Sequence, residues 1–379
     1  MVKDTLKFLN HYSSKVRQVK NIKAISITGS SGKTSLKELL GHSLSKLAST
    51  IYSKKSFNNK FGVPLALSEI RKKNSFGVFE LGMDRKGEIE NLAKIIKPDV
   101  GIITNISYAH IKNFKNISGI ASAKAEIIDQ ISDNGIIILN RDDKFFNFLK
   151  KRAVKKKLKI ISFSENKTKD SNLYIKKIKK IKNQYEINVK IFNKSKKFLI
   201  SNKLKPYTKN ILGTLSALSI FFNHNKIKYD IFLNFKIPEG RGNIKKIKIK
   251  KKVIFLIDES YNSNPESLSF AIKNFDEINI SNERKNIILG DMLELGKYSK
   301  ILHIKAAEAL NLSNLNNINV YGNFIKHTYN KIKTQKKGKI FYNLSDVKEF
   351  IEKDLVNGDY LMIKGSNATG LNSLVKELQ

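Results

Sequence analysis

The segment from Thr28 to Ser35 constrains the fold of this chain more than any other. It reads Thr-Gly-Ser-Ser-Gly-Lys-Thr-Ser and follows the apolar run 24–27, which predicts a short buried strand. Residues 36–40 continue in a helical pattern, so the glycines fall in the turn between strand and helix. A helix that begins directly after such a turn points its first N–H groups at an anion. The sequence therefore predicts a phosphate-binding loop.

Each residue type in this loop has a chemical reason to be there. Glycines let the backbone approach a phosphate, the lysine adds a positive charge, and a hydroxyl side chain can bind Mg²⁺. A turn before a structural helix is the alternative, but the flanking strand and helix favour ATP or GTP binding. The expected nucleotide-binding residues of the loop are Gly29, Ser30, Ser31, Gly32, Lys33, Thr34 and Ser35.

The composition narrows the class of protein. A chain of 379 residues is long enough for two or three domains. The absence of cysteine excludes disulfides, thiolate metal sites and cysteine catalysis, and it fits a cytoplasmic enzyme. No uninterrupted apolar run reaches the ~18 residues of a membrane-spanning helix. We therefore expect an enzyme of the cytoplasm without a membrane span.

The net charge of +38 suggests nucleic acid or an anionic membrane as a partner. Of the 71 basic residues, however, only seven are arginine, the preferred reader of bases and phosphates. The lysines are spread along the chain, which favours a solvated lysine surface. Nucleic-acid binding is therefore the less favoured interpretation.

Predicted strands and helices alternate along most of the chain, which is typical of α/β layers over a parallel sheet. In the first half, strands are predicted at 78–81, 100–104 and 136–139, helices at 86–97 and 209–223, and antiparallel edge strands within 172–201. A joint at 238–242 precedes a second series, with strands predicted at 253–257, 286–289, 318–321 and 360–363. This pattern predicts an α/β fold, with a mostly parallel P-loop ATPase-like domain followed by a Rossmann-like α/β domain.

Several further segments, in order along the chain, resemble the Mur ligase family of ATP-dependent peptide-bond-forming enzymes. Besides the loop, they are 58–65, 80–82 with 87–89, Asn105 with 109–110, 123–127, 258–265, 289–296 and 364–366. The resemblance implies three regions: an N-terminal helix over 1–20, a central ATP-binding domain over 21–240 and a C-terminal domain over 241–379. The helix carries Leu6, Phe8, Leu9, Tyr12 and Val16 as its expected apolar face.

The resemblance also implies a catalytic centre. It makes Thr34, Glu80 and His110 ligands of Mg²⁺, a cation that prefers hard oxygen chemistry on phosphates. It makes Lys124 a carbamylated lysine, whose anionic oxygens would bind a second Mg²⁺. From sequence alone, Glu80 would be a solvated carboxylate and Lys124 one more surface lysine. The expected catalytic residues are Lys33, Lys124 and His110.

The remaining site residues come from the same resemblance. Asn210 would lie near the adenine, Arg241 would reach the ATP phosphates, Asp258 the ribose and Asn262 the nucleotide region. The alternatives are a helix cap for Asn210, a structural ion pair for Arg241 and turn chemistry for the polar run 258–264. The expected substrate-binding residues are Asn59, Asp291 and Glu294, and His303 shares a face with the last two.

The implied reaction activates a carboxylate with ATP and forms an amide. The segments near 59–64, 258–265 and 290–296 resemble the family members that join D-alanyl-D-alanine to UDP-N-acetylmuramoyl tripeptide in peptidoglycan synthesis. The loop begins at residue 28, so the family's N-terminal UDP-binding domain is expected to be absent, and a separate chain is one possible source of UDP binding. Departures at Asp84-Arg85 and Asn367 weaken the implied substrate specificity. A folylpolyglutamate synthase-like ligase and a non-catalytic basic ATP- or nucleic-acid-binding protein are the alternatives.

Overall fold

A computed structural model describes residues 3–379 of the chain. The strands are β1 (Lys23–Thr28), β2 (Thr50–Tyr52), β3 (Phe76–Glu80), β4 (Val100–Ile103), β5 (Ile136–Asn140), β6 (Lys159–Ser164), β7 (Leu173–Ile181), β8 (Gln184–Ile191), β9 (Lys194–Ser201), β10 (Asn243–Ile249), β11 (Lys252–Glu259), β12 (Lys285–Gly290), β13 (Ile318–Tyr321), β14 (Lys337–Phe341) and β15 (Tyr360–Lys364).

The helices are α1 (Thr5–Val19), α2 (Lys33–Ser45), α3 (Gly62–Ser68), α4 (Glu88–Ile96), α5 (Ile117–Lys124), α6 (Glu126–Gln130), α7 (Phe146–Lys155), α8 (Thr208–Phe221), α9 (Pro265–Asp276), α10 (Ser299–Leu312), α11 (Ile325–Tyr329), α12 (Leu344–Lys353) and α13 (Leu371–Glu377). None of the helices within 3–379 is both long and apolar enough to cross a membrane. The chain divides into two compact units, one of residues 1–106 and 114–236 and one of residues 107–113 and 237–379.

The first unit is built on a nine-stranded sheet in the order β2-β3-β1-β4-β5-β6-β7-β8-β9. The strands from β2 to β7 pair in parallel, and β7, β8 and β9 pair antiparallel. The central strands β1, β3 and β4 are almost entirely buried and mostly apolar, as expected for a parallel sheet covered on both faces. Helices α2 and α8 contribute Leu36, Leu40, Leu212 and Leu215 to the core over this sheet. The predicted antiparallel edge is confirmed.

The second unit contains a six-stranded sheet in the order β10-β11-β15-β12-β13-β14. Strand β10 pairs antiparallel with β11, and the other strands are parallel. Ile254, Leu256, Ile288 and Leu361 lie in one core with apolar residues of α12 and α13. The polar segments after β11, β12 and β15 all leave the same carboxyl edge of this sheet, which is where ligands bind in open α/β folds. The predicted α/β class is confirmed in both units.

Helix boundaries differ by a few residues from those predicted. The helix predicted over 86–97 begins at Glu88, because Gly87 adopts a φ of 88° as its N-cap. It ends at Ile96, since Lys97 has a φ of 48° and Pro98 follows. The helix predicted over 209–223 runs from Thr208 to Phe221.

The predicted N-terminal helix is present over its described part, Thr5–Val19, while Met1 and Val2 lie outside the described residues. Its predicted apolar face is partly wrong. Phe8 and Tyr12 are 53% and 47% exposed and stack on each other with ring centroids 6.2 Å apart. The buried residue of the helix is Ser13, because the side of α1 that packs on α3 and α4 is offset from the most aromatic side.

Candidate nucleotide and acceptor sites

The predicted phosphate loop joins β1 to α2 in the first unit. Gly29 has a φ of 149°, and a Cβ added there would lie 1.8 Å from Thr104 Oγ1. Gly32 has a φ of 77° and is the N-cap of α2. Both positions therefore require glycine, one for space and one for the left-handed backbone. The turn places residues 32–35 at the positive end of the α2 dipole, where an anion is stabilised.

Asn105, which follows β4, braces the loop from the neighbouring strand. Its Oδ1 accepts hydrogen bonds from Ser30 N at 3.1 Å and Ser31 N at 2.9 Å. Its Nδ2 donates to Ser31 Oγ at 2.6 Å. Thr104 Oγ1 adds a bond to Ser31 O at 2.7 Å. The loop conformation is thus fixed by β4, a contact that the local sequence of the loop does not reveal.

Two lysines converge on one carbonyl of the loop. Lys33 Nζ and Lys124 Nζ each donate to Gly29 O at 2.9 Å. Lys124, at the end of α5, is only 1% exposed. Burial, and secondly the charge of Lys33, holds the pKa of Lys124 well below its usual value. Burial thus disfavours the charged form of this amine relative to that of an exposed lysine.

Glu80 is a buried carboxylate at the carboxyl end of β3, 1% exposed. It pairs in register with Ile27, so it lies beside the strand that enters the phosphate loop. Asn58 Nδ2 donates to its Oε1 at 2.8 Å. Within the described residues, its buried Oε2 has no hydrogen-bond partner. A buried carboxylate oxygen without a protein donor fits a hard cation such as Mg²⁺.

Thr34 is a predicted metal ligand in the first turn of α2, directly after the phosphate loop, and it is 5% exposed. Its Oγ1 lies 3.5 Å from Ser56 Oγ. The segment that carries Ser56 and Asn58 is tethered by Lys37, a fully buried lysine of α2 whose Nζ donates to Ser53 O and Lys55 O at 2.5 Å each. Neither the contact of Asn58 with Glu80 nor the buried role of Lys37 was predicted from the sequence. The one signal for Asn58 was its place as the first residue of the family-like segment 58–65.

Two other predicted residues of the first unit are Asn210, beside the same loop, and Asn59, just before α3. Asn210 Nδ2 donates to Gly32 O at 3.4 Å, so α8 brings this side chain to the phosphate loop. Asn59 is exposed, and its Oδ1 accepts from Phe61 N at 3.1 Å and Gly62 N at 2.9 Å. Asn59 therefore fixes the turn that leads into α3.

In the second unit, Asp258 closes the turn before β10. Its Oδ2 accepts from Gly240 N at 3.0 Å, and its Oδ1 accepts from Ser260 Oγ at 2.6 Å. Next to this turn, the Arg241 guanidinium lies 4.3 Å from the centroid of the Tyr261 ring, a cation–π contact. Asp258 and Arg241 are thus held in one polar cluster at the carboxyl end of β11.

A buried ion pair completes this cluster. Lys364 Nζ lies 3.3 Å from Glu259 Oε2 and donates to Asn262 O at 3.0 Å. Burial raises the pKa of Glu259 and lowers the pKa of Lys364. Asn262 is therefore anchored through its backbone, while its Oδ1 accepts from Ser263 N at 2.8 Å.

His110 belongs to the second unit, whereas Thr34, Glu80 and Lys124 belong to the first. Its φ is 61°, and its Nδ1 lies 2.6 Å from Glu294 Oε2. Lys112 Nζ lies 3.2 Å from the other oxygen of Glu294. The hydrogen bond from His110 is the main cause that lowers the pKa of Glu294 to about 2. The two predicted site residues His110 and Glu294 thus lie in direct contact.

Asp291 directly follows β12 and is 8% exposed. Its carboxylate accepts from Ile325 N at 2.7 Å and Asn323 N at 3.1 Å, so it caps the short helix α11. Beside it lies a cleft of about 270 Å³, at the carboxyl ends of β12, β13 and β14. Leu293, Lys326 and Tyr342 are among its other lining residues. The cleft offers both polar and apolar groups to a small ligand.

Comparison with known proteins identifies the family. The model of the Mur ligase middle domain matches residues 27–220, and that of the Mur ligase glutamate ligase domain matches 241–367. The UDP-N-acetylmuramoyl-tripeptide–D-alanyl-D-alanine ligase of Buchnera aphidicola (subsp. Baizongia pistaciae) is 32% identical over 100% of this chain and 80% of its own length. The Escherichia coli protein of that name is 28% identical over 100% of this chain and 82% of its own length.

The comparison with solved structures identifies the same kind of protein as the sequence comparison does. The crystal structure of MurF from Acinetobacter baumannii has a TM-score of 0.85 and 28% identity, and covers 100% of this chain and 81% of its own. These comparisons do not support the expectation that a separate chain supplies UDP binding. Two family models in sequence order and a relative above 30% identity agree with the resemblance found in the motifs. The chain therefore belongs to the Mur ligase family.

Proposed function

We propose that this chain joins D-alanyl-D-alanine to UDP-N-acetylmuramoyl tripeptide at the expense of ATP, in the cytoplasm. The observation that carries the proposal is the phosphate loop, with two lysines on Gly29 O and the buried carboxylate of Glu80 beside it. Such a site suits phosphoryl transfer, which needs positioning and charge neutralisation more than covalent chemistry. The relatives' names favour this reaction over that of a folylpolyglutamate synthase-like ligase.

Each unit carries candidate nucleotide-binding residues of its own. The N-terminus of α2 and Lys33 would bind the phosphates, with Asn210 near the adenine. In the second unit, the family resemblance assigns Arg241 to the ATP phosphates, Asp258 to the ribose and Asn262 to the nucleotide. Asn105 would keep the loop in its binding conformation, since it accepts from two of the loop amides.

Mg²⁺ would be held in the first unit by Thr34 and Glu80, with a carbamylated Lys124 as a further ligand. Bound there, it would neutralise the charge of the phosphoryl oxygens. In the second unit, His110 is the metal-ligand candidate that the family resemblance implies. Asn58 would orient the Glu80 carboxylate. Carbamylation of Lys124 requires a neutral amine that attacks CO₂ and releases a proton, and burial favours that neutral form. No carboxylate is among the groups that shift the pKa of Lys124, whereas a neighbouring carboxylate would stabilise the charged form of the amine.

The reaction would run in two steps. The terminal carboxylate of the tripeptide attacks the γ-phosphorus of ATP, and ADP leaves. The amine of the dipeptide then attacks the resulting acyl phosphate, so that a C–N bond forms, a C–O bond breaks and phosphate leaves with loss of an amine proton. Lys33 would neutralise the phosphoryl charge in the first step. Asn59 is proposed to contact the tripeptide substrate.

We place the acceptor dipeptide in the cleft beside Asp291. This cleft lies at the carboxyl edge of the second sheet, the edge at which open α/β folds bind ligands. Lys326 can bind the terminal carboxylate of the dipeptide, and apolar lining atoms can pack on its methyl groups. Asp291 and Glu294 would shape this site, since the first caps α11 and the second pairs with His110.

The test is phosphate release from ATP with UDP-N-acetylmuramoyl tripeptide, with and without D-alanyl-D-alanine, and mass detection of the pentapeptide product. The diaminopimelate and lysine forms of the tripeptide are both offered. Lys33→Met should abolish turnover, whereas Lys94→Met, on the exposed side of α4, should leave it unchanged. Absence of dipeptide-dependent turnover in folded protein that binds ADP would refute the proposal. Salt-sensitive DNA binding in its place would favour the non-catalytic alternative.

A further inference from the structure

His303 is the most completely buried histidine near the cleft of the second unit. It lies on α10 with 0% exposure. Its Nδ1 lies 2.8 Å from Ser299 O, and a carbonyl oxygen can only accept, so Nδ1 carries the proton. Its Nε2 lies 3.1 Å from Met292 N, which can only donate. The two partners thus define one neutral tautomer, with Nε2 as an acceptor.

Burial supports this assignment, because it lowers the pKa of His303 and disfavours the imidazolium. In the imidazolium, Nε2 would carry a proton and could not accept from Met292 N. The two N–H groups would then face each other and repel. The ring therefore works as a fixed hydrogen-bond acceptor inside the fold. It is too deeply buried to contact a substrate directly.

The residue that His303 holds lies between two lining residues of the cleft. Met292 is flanked by Asp291 and Leu293, and both of these border the cleft. The loop from Asp291 to Gly296, here called the 291–296 loop, contains two residues with positive φ, Glu294 at 65° and Gly296 at 53°. A backbone of that kind needs tertiary contacts to keep its shape.

Besides the Asp291 side chain, which accepts from Ile325 N and Asn323 N, two hydrogen bonds fix the start of this loop. Leu293 N donates to Ser366 Oγ at 2.9 Å, and Ser366 N donates to Asp291 O at 3.0 Å. The bond between Met292 N and His303 lies between these two anchors. It therefore sets the path of the backbone where the loop forms a wall of the cleft.

We propose that His303 is a positioning residue for the acceptor site: its Nε2 holds Met292 N and thereby places the 291–296 loop against the dipeptide. This inference rests on the proposed function, because it assigns the cleft to D-alanyl-D-alanine. It assigns His303 a role through the loop and excludes a role in proton transfer. ATP binding, which the phosphate loop of the first unit carries, should be insensitive to it.

The variants that test this role differ in where they place an acceptor. In His303→Gln, the side-chain oxygen stands as many bonds from Cβ as Nε2 does and can still accept from Met292 N. In His303→Asn, the oxygen stands one bond short and leaves that amide unpaired. We expect His303→Asn to raise the KM for D-alanyl-D-alanine about tenfold, the effect of one unsatisfied buried donor. His303→Gln should stay within about twofold of wild type for the same reason.

Two internal comparisons separate positioning from general damage. The KM for ATP should change less than about twofold in both variants, because the phosphate loop does not depend on this bond. His327→Gln is the matched control, since it removes a neighbouring histidine on α11 whose charge acts on His303 but which does not bond Met292 N. The proposal would be overturned if His303→Gln raised the KM for D-alanyl-D-alanine as much as His303→Asn does. It would also be overturned if the KM for ATP and the KM for D-alanyl-D-alanine rose by the same factor.

Hydrogen exchange of the Met292 amide, followed by mass spectrometry of a peptide that covers the loop, tests the bond without turnover. Exchange should be about tenfold faster in His303→Asn than in His303→Gln. If wild-type protein shows no dipeptide-dependent turnover, the proposed function fails, while this exchange difference still supports the positioning of the loop. Identical exchange in the two variants would refute the positioning.

Discussion

Removing the amide of Asn58 should weaken the folded state and the metal site together. Asn58 Nδ2 is the one donor, among the described residues, that the structure assigns to the Glu80 carboxylate, at 2.8 Å. Glu80 is 1% exposed, so Asn58→Ala leaves a buried carboxyl group with neither oxygen hydrogen-bonded. Hydrogen bonds to charged groups contribute about 1.5–3 kcal/mol. Because Asn58 is itself half-exposed and water can enter its place, we expect the lower end, about 1.5 kcal/mol.

The same change should reduce the affinity for Mg²⁺. Residues that orient a ligating carboxylate typically contribute about 10- to 100-fold to metal affinity. Mg²⁺ titrations in the presence of ADP, followed by calorimetry and by thermal unfolding, should therefore show at least about tenfold weaker binding in Asn58→Ala. This readout does not depend on turnover.

Asn58→Asp replaces the amide that donates to Glu80 by a carboxylate, so that an attractive contact becomes a repulsive one. A second carboxylate would then face Glu80 across about 3 Å, so the pKa of one of them must rise. A raised pKa in the folded state means that stability is highest at low pH and is lost as pH rises through that pKa. Mg²⁺ should restore this loss, so the variant should gain more thermal stability from the cation than wild type does.

Asn116→Ala is a matched control. Its Oδ1 caps α5 by accepting from Gly119 N at 3.1 Å, and its loss should cost about 1 kcal/mol without any effect on Mg²⁺. If Asn58→Ala is as stable as wild type and binds Mg²⁺ equally well, the argument that Asn58 orients Glu80 is wrong. The same conclusion follows if both alanine variants change the Mg²⁺ affinity alike.

Three further changes test other parts of the site. Gly29→Ala should cost more than about 3 kcal/mol and abolish ADP binding, measured by denaturant unfolding and calorimetry, because its Cβ would lie 1.8 Å from Thr104 Oγ1. Wild-type turnover should rise with added bicarbonate if Lys124 is carbamylated, whereas Lys124→Met should be inactive and unresponsive; a response of the variant would contradict this. Since the pKa of Glu294 is lowered from 4.5 to about 2 by His110, its stabilising contribution should be present above pH 4.5 and be lost as pH falls towards 2. Unfolding of Glu294→Gln and wild type should thus converge at the acid end, and a gap that persists there would refute the assignment.

Short-range patterns were sufficient for the order of elements and for the phosphate loop. A strand, a glycine turn and a helix start are encoded within about a dozen neighbouring residues, so local propensity and periodicity reveal them. The same holds for the strands β4, β5 and β12, each of which contains a buried apolar run. The offset face of α1 shows the limit of this reasoning, because its partners α3 and α4 lie far along the chain.

The sequence by itself determined an α/β chain with a phosphate loop and, through its motifs, its family. Only the tertiary structure decided which of 64 nearly equivalent lysines are buried and what they hold. Lys124 reaches Gly29 O across 95 positions of sequence, and Lys364 reaches Glu259 across 105. The physical reason is that burial, and with it every pKa shift of the site, arises from contacts between strands and helices that only folding brings together.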